Sequence, residues 1–337
     1  MARLPPGKLP ISVLERTVLK MTGAKSDRIL MGPEAGVDFG VVRVDDKYMI
    51  VSSDPITGVA TNIGWYAVNV SANDVATSGN RPQFMESIIM LPESSSEQDV
   101  AALAGQMNRT AKRMGISVVG GHTELTPHLE KPIVVVTAFS FVEDYVSSAG
   151  AKDGDSILMT KTAGLEGTSV LVRELEGIGI RVERSLGVRA KALESKISVV
   201  PEAVKAYRTG AVHAMHDCTE GGVLGAVYEM SLASGTGFVA REASVPVAGP
   251  TKEISQALSL DPLKLIGSGS LLMAVESGKE RRVLDALRGL CEVTRIGRFE
   301  KGRRILVRPD GREMALRKAP TDELWRALAL LGRATRF

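Results

Sequence analysis

Apolar positions along this chain recur at two spacings, and the changes between them mark out its elements. Short apolar or alternating runs bounded by Gly, Pro or Asp predict strands at residues 29–31, 37–42, 48–54, 85–91, 116–119 and 133–141. Helical spacing links Leu14, Val18 and Met21, then Ile63, Ala67 and Val70 within 62–72. It returns in Val100, Leu103, Met107, Ala111 and Met114, a helix whose start carries Ser95 and Gln98 as a capping box. Residues 1–10 hold three prolines and a Gly around Lys8, which predicts an irregular arm. Helices fall between strands of one sheet without regular alternation, so the class is α+β rather than doubly wound.

The Gly/Asp-rich stretch Ala149–Asp155 is the best boundary, giving domains 1–150 and 151–337. Beyond it the pattern restarts with a strand at 157–160, helical segments to about 209, and the strand Val212–Asp217. A helix with Val223, Val227, Met230 and Ala233 on one side follows. Then come strands at 238–240, 271–275, 293–299 and 304–308, helices near 251–258 and 278–289, and a terminal helix from about Asp322. Both halves repeat strand, acidic or Gly-rich turn, helix, which predicts two α+β domains with facing ligand loops.

Composition narrows the class without naming a chemistry. The 337 residues are 44% hydrophobic and 24% charged, a globular composition with enough chain for two domains. A formal charge of +3 from 42 basic and 39 acidic residues is near balance. The basic residues after 280 are interrupted by acids and read as a solvated face, so no nucleic-acid partner is expected. Cys218 and Cys291 make neither a metal spacing nor a disulfide framework, which suits a reducing cytoplasm. No apolar run reaches membrane-spanning length and the start MARLPPGKLP lacks a signal-peptide core, so no membrane partner is expected.

Four acidic turns stand out: Asp38, Asp54, Asn73-Asp74, and Asp217 with Glu220. Converging carboxylates without cysteine, with histidines only at the margins, point to Mg²⁺ rather than zinc. The plainer alternative is separate turn acids that never meet, with Asn73-Asp74 the C-terminus of a helix running into a turn. Two Gly-rich helix starts could receive phosphates: Lys161–Thr168, with Lys161 beside Gly164, and Thr219–Gly222, with Glu220 and Gly221. Neither matches the Walker pattern, and no GxGxxG is present. His122 and Glu124, following Gly120-Gly121, are candidates for acid/base or metal-site work. Cys218 reads as a small packed residue rather than a nucleophile.

Together these segments resemble the AIR synthase (PurM-like) superfamily. The matching stretches are Gly36–Val42, Ser52–Asp54, Val68–Pro82, Val119–Pro127, Asp153–Thr168, His216–Met230 and Asp261–Val275, in the family's order. The pattern Asn-Asp-Val-Ala-x-x-Gly-x-x-Pro from Asn73 is specific when the others accompany it. Gly7–Pro10 and Gly120–Pro127 bring the text nearest to the hydrogenase-maturation HypE-related group. The resemblance implies a two-domain PurM-like fold whose N-terminal strands pair across a homodimer into a β-barrel, with a C-terminal α/β sandwich. It also implies ATP and Mg²⁺ as cofactors at the junction. Carried over by motif, Asp38, Asp54, Asp74 and Asp217 would ligate Mg²⁺ on the ATP phosphates. Ser53 and Asn73 would sit beside them, Lys8 would approach the phosphates, and Asp54, His122 and Glu124 would be the catalytic set.

Departures from the pattern shape the functional expectation. No cysteine follows Cys291, so carbamoyl chemistry on the chain's own C-terminal tail is not expected. The first cysteine is Cys218, which argues against selenophosphate synthesis. His122 stands where many relatives place an acid, and Glu220 stands where thiamine-monophosphate kinases place a second Asp. The expectation is an ATP- and Mg²⁺-dependent enzyme that phosphorylates or dehydrates an unidentified small-molecule acceptor. Its rivals are a small-molecule kinase of the thiamine-monophosphate type and a module that binds ATP and a protein partner without turnover.

Overall fold

The computed structural model describes residues 4, 6–57 and 61–334, so parts of the N-terminal arm and the last three residues of the tail considered above lie outside the described residues. The first half runs α1 (Ile11–Arg16), β1 (Ile29–Met31), β2 (Gly40–Val44), β3 (Lys47–Ile56), α2 (Ile63–Ala76), β4 (Phe84–Pro92), α3 (Glu97–Met114), β5 (Ser117–Thr126) and β6 (Ile133–Val142). Its six strands form one sheet in the order β1-β2-β3-β6-β4-β5. The second half runs β7 (Ser156–Thr160), α4 (Leu165–Gly177), α5 (Arg184–Ala192), α6 (Val200–Tyr207), β8 (Val212–Asp217), α7 (Gly222–Ala233), β9 (Gly237–Arg241), α8 (Gly249–Ala257), β10 (Leu271–Val275), α9 (Glu280–Leu287), β11 (Val293–Glu300), β12 (Arg304–Val307), β13 (Glu313–Ala315) and α10 (Glu323–Ala334). Its seven strands are ordered β13-β12-β9-β11-β7-β10-β8. The fold is a two-domain α+β arrangement, as expected.

Helix α2 joins the halves. Thirteen of its fourteen residues are buried, and small side chains (Ala67, Ser71, Ala72, Ala76) let it pass between the first sheet and the second domain. Ser71 Oγ donates to Val136 O of β6 at 2.8 Å, and Tyr66 OH lies 2.9 Å from Ser169 Oγ of α4. A helix covered on all sides cannot show a polar stripe, so its length was hard to read from spacing. It extends through Ala76, and Asn73-Asp74 therefore occupies its last turn rather than a turn beyond it.

Three local expectations shift in position. The capping box is Ser96 with Asp99, one residue later than the Ser95–Gln98 reading, with Asp99 N donating to Ser96 Oγ and Ser96 N to Asp99 Oδ2. The strand expected at 116–119 runs on through Gly120–Glu124, the middle of β5, parallel to β4 with His122 opposite Ile88. Strand β5 is the sheet edge and is exposed almost throughout. Strand β3 continues past Asp54 to Ile56, and β2 pairs only with its residues Lys47–Val51. Ser52–Ile56 thus overhang β2, which leaves the edge beside Ser52 and Asp54 open and tolerates Pro55. Among the described residues no helix is long and apolar enough to cross a membrane.

Candidate functional site

The overhang of β3, the last turn of α2, the loop before β2 and the end of β8 meet around one cavity of about 610 Å³. Asp38, Ser52, Ser53, Asp54 and Asp74 line it from the first domain, and Glu166, His216, Thr219 and Glu220 from the second. Asp217, the last residue of β8, is fully buried behind this wall. Strand pairing fixes two of the acids: Asp54 sits opposite Val136 of β6, and Asp217 opposite Leu271 of β10. Ser52 Oγ donates to Asp74 Oδ2 at 2.7 Å and reaches Asp54 Oδ2 at 3.4 Å, so one hydroxyl spans two carboxylates.

His216 organises the other side. Its Nδ1 lies 3.0 Å from Asp38 Oδ1 and 2.7 Å from the Asp217 carbonyl oxygen. Its Nε2 is 3.2 Å from Glu229 Oε2, an ion-pair contact rather than a directed hydrogen bond. Glu229 Oε1 accepts from the Lys8 ammonium at 2.7 Å. The arm is further tied by Lys8 N donating to Glu220 Oε2 at 2.7 Å, the same oxygen that accepts from Trp325 Nε1.

Burial and mutual repulsion disfavour the ionised forms of Asp38, Asp74 and Asp217. Burial raises the Asp38 carboxyl to about 6 against the pull of His216. Burial and the Asp38 charge push Asp217 up to about 8. Burial, with Asp54 and Asp217 nearby, lifts Asp74 well above the carboxylate range. Burial opposes the charge on His216, yet Asp38 and Glu229 hold it up at about 9, so it is an imidazolium and not a metal ligand at neutral pH. Glu229 is depressed to about 2, because Lys8 and His216 outweigh the cost of its burial.

The donor set fits Mg²⁺. Both Asp217 oxygens and Asp38 Oδ2 are buried without a hydrogen-bond partner among the described residues. Ligand atoms of Asp38, His216 and Asp217 lie within 4.8 Å of one another. With His216 charged, what remains is hard carboxylate oxygen, the set suited to Mg²⁺.

Several expected residues lie elsewhere. Asn73 has both polar atoms committed: its amide donates to Ile197 O and its oxygen accepts from Val199 N, each at 2.8 Å. It ties α2 to the second domain instead of facing the cavity. The Lys161 ammonium pairs with Glu202 and donates to the carbonyls of Lys196, Ser198 and Gly269, so it is not free for a phosphate. Gly221 N donates to Asp322 Oδ2, and Gly164 is buried. The glycines of these helix starts serve packing. A Cβ on Gly167 would meet Leu265 at 2.5 Å, and one on Gly222 would meet Leu263 O at 2.6 Å. His122, Glu124, Gly120 and Gly121 lie on exposed β5, away from the cavity lining of this chain, with His122 Nε2 3.3 Å from Glu124 Oε2. Cys218 is a buried packed residue whose thiol burial raises well above its usual range.

Sequence reasoning missed Ser52, His216 as a bridge, Glu229 and Glu166. Glu166 is buried at the cavity with one oxygen unpartnered, and burial raises its carboxyl to about 7. Its signal was present as an acid inside a Gly-rich helix start. Glu229 gave none, since it sits in an otherwise apolar helix.

Comparison with known proteins matches both halves of the chain. The AIR synthase related protein N-terminal domain matches residues 36–142, and the corresponding C-terminal domain matches residues 152–308. The carbamoyl dehydratase HypE of Azotobacter vinelandii is 29% identical over 252 residues, 74% of this chain and 71% of that protein. A structure of the hydrogenase maturation protein HypE in complex with ATP superposes with a TM-score of 0.69 at 20% identity, covering 94% of this chain and 93% of the other. AaThiL complexed with AMPPCP and TMP gives 0.70 at 20% identity, covering 92% and 95%.

Proposed function

The chain belongs to the AIR synthase related family, and on that footing we propose that it is an ATP- and Mg²⁺-dependent enzyme that activates an oxygen of a small-molecule acceptor by phosphorylation. The observation that carries this reading is the convergence of Asp38, Asp54 and Asp74 on one cavity, with Asp217 buried behind its wall and both Asp217 oxygens unpartnered among the described residues. The ATP complex of HypE and the AMPPCP complex of AaThiL support ATP as the nucleotide.

Asp38, Asp54, Asp74 and Asp217 would hold Mg²⁺, which when bound supplies neutralising charge to the phosphate oxygens. Ser52 orients the Asp74 carboxylate, and the His216 imidazolium engages Asp38 Oδ1, which leaves Oδ2 as the oxygen that would be available to a metal. Lys8 brings a positive charge to the cavity rim, held there by Glu229. Glu166, raised to about 7, would accept the proton of the acceptor oxygen as it attacks. A HypE-like outcome would then eliminate the phosphorylated oxygen as phosphate. A kinase outcome of the thiamine-monophosphate type would retain it, and the AaThiL likeness over 92% of the chain favours keeping that second reading. The exposed edge strand β5 would pair across a homodimer, which would give His122 and Glu124 their place at the partner's cavity.

The test is ADP release from Mg-ATP across a panel of carbamoylated, amide and phosphorylated metabolites. ADP with inorganic phosphate identifies dehydration, and ADP with a phosphorylated compound identifies a kinase. Tight Mg-ATP binding with no acceptor-dependent ADP release would remove the enzyme reading in favour of an ATP-binding module.

A further inference from the structure

We propose that a second cavity, at the N-terminal end of α2, binds a small flat-ring organic anion. It measures about 620 Å³, within the roughly 300–1,000 Å³ of small-molecule sites, and shares no lining residue with the acidic cavity. Its wall draws on both domains: Trp65 of α2 and Arg109 and Arg113 of α3 on one side, Lys191 and Glu194 on the other.

The charges of the second-domain side are already answered. Lys191 Nζ holds both oxygens of Glu176 at 2.9 Å, and Glu194 takes Asn62 at 2.7 Å and pairs with Arg173. Arg109 and Arg113 have no carboxylate partner among the described residues. Four residues apart on α3, they are neighbours on one helix face, where like charges repel. The Trp65 indole lines the same wall with its N–H buried, so the ring and not the N–H is presented to a ligand. One carboxylate or phosphate bridging the two guanidinium forks, which suit such oxyanions, relieves the repulsion between them. The indole and the aliphatic stems of the arginines supply the surface on which a ring packs.

The test is titration calorimetry of the full chain in EDTA with 2-naphthoate and with 1-naphthyl phosphate. Saturable one-site binding of either is expected, and the tighter probe says whether the natural ligand carries a carboxylate or a phosphate. Combining Arg109→Ala with Arg113→Ala should weaken binding at least tenfold, while Lys112→Ala, on the same helix, should change it less than twofold. Asp74→Asn should leave probe binding intact. In a Trp325→Phe background, Trp65 is the sole tryptophan and its fluorescence should change with the same saturation. Absence of saturable heat from both probes, equal loss in Lys112→Ala, or loss in Asp74→Asn would overturn the proposal.

Discussion

Lys8 and Glu229, 221 positions apart in the chain, meet at 2.7 Å over the mouth of the acidic cavity. The pair joins the N-terminal arm to a helix of the second domain, and through His216 to Asp38. Because the Lys8 side chain is nearly half exposed, solvent limits the pair to about 1 kcal/mol, roughly a fivefold effect. Glu229→Gln should therefore raise the rate of tryptic cleavage after Lys8 by about that factor and raise KM for Mg-ATP more than it lowers kcat. An unchanged cleavage rate would show that Glu229 does not hold the arm.

Asp217→Asn separates binding from stability. The substitution preserves shape and, above about pH 8 where the Asp217 carboxyl ionises, removes a buried charge whose oxygens accept no hydrogen bond from the described residues, so the comparison is made at about pH 9. Metal-free protein should gain stability, with Tm rising by about 3–8 °C, while Mg-dependent nucleotide binding is lost. A stable Asp217→Asn protein that still binds Mg-ATP with unaltered affinity would remove Asp217 from the metal site.

Stability of the metal-free protein should fall as pH rises from about 4 to 9. Asp38 and Asp217 have folded values of about 6 and 8, above their unfolded value of 3.8, so the folded state holds more protons than the unfolded chain across that interval. His216, raised from 6.5 to about 9, contributes stability that is complete below 6.5 and lost as pH passes through 9. All three act in the same direction. Saturating Mg²⁺ should flatten the slope, because it replaces the protons, and its own affinity should climb between pH 6 and 8 with proton release on binding. Thermal melts over this range with and without Mg²⁺ check the sign; a metal-free melting temperature that rises with pH would contradict it.

Asn73→Ala should cost about 2–4 kcal/mol in urea unfolding, since it strands the Val199 N–H and Ile197 carbonyl in a buried joint. Mg²⁺ affinity of the folded variant should stay within about threefold, given that Asn73 offers no free atom to the cavity. Loss of Mg²⁺ binding in a well-folded variant would restore Asn73 to the ligand set.

Glu166→Gln should lower kcat by about 10²–10⁴-fold and remove the limb of the pH–rate profile near 7, with Mg-ATP binding retained. Rates equal to wild type would assign proton transfer to another group.

The sequence made the strands, the helices and the acids of this site readable, because turn residues and apolar periods act locally. Asp38, Asp54, Asp74 and Asp217 each sit at or near the end of an element, where Gly or Pro announces a break. Roles set by distant contacts were not readable. Nothing local distinguishes Asn73, turned to a second-domain backbone, from Asp74, one residue on and turned to the cavity. Lys161 beside Gly164 reads as a phosphate cradle until Glu202 and three carbonyls are seen to surround its ammonium. Glu229 becomes visible only once Lys8 and His216 are folded against it.

The bonds that α2 sends into the second domain also bear on how the cavity opens. Asn62 to Glu194, Tyr66 to Ser169, and Asn73 to Ile197 and Val199 pin the helix near its start, early in its course and near its end. A hinge between the halves would have to break all three attachments at once. The arm, whose described residues meet the cavity rim through the Lys8–Glu229 ion pair and a backbone bond to Glu220, is far cheaper to lift. Under the proposed function, a nucleotide would therefore enter by lifting the arm at the rim, with the domains a fixed frame around it.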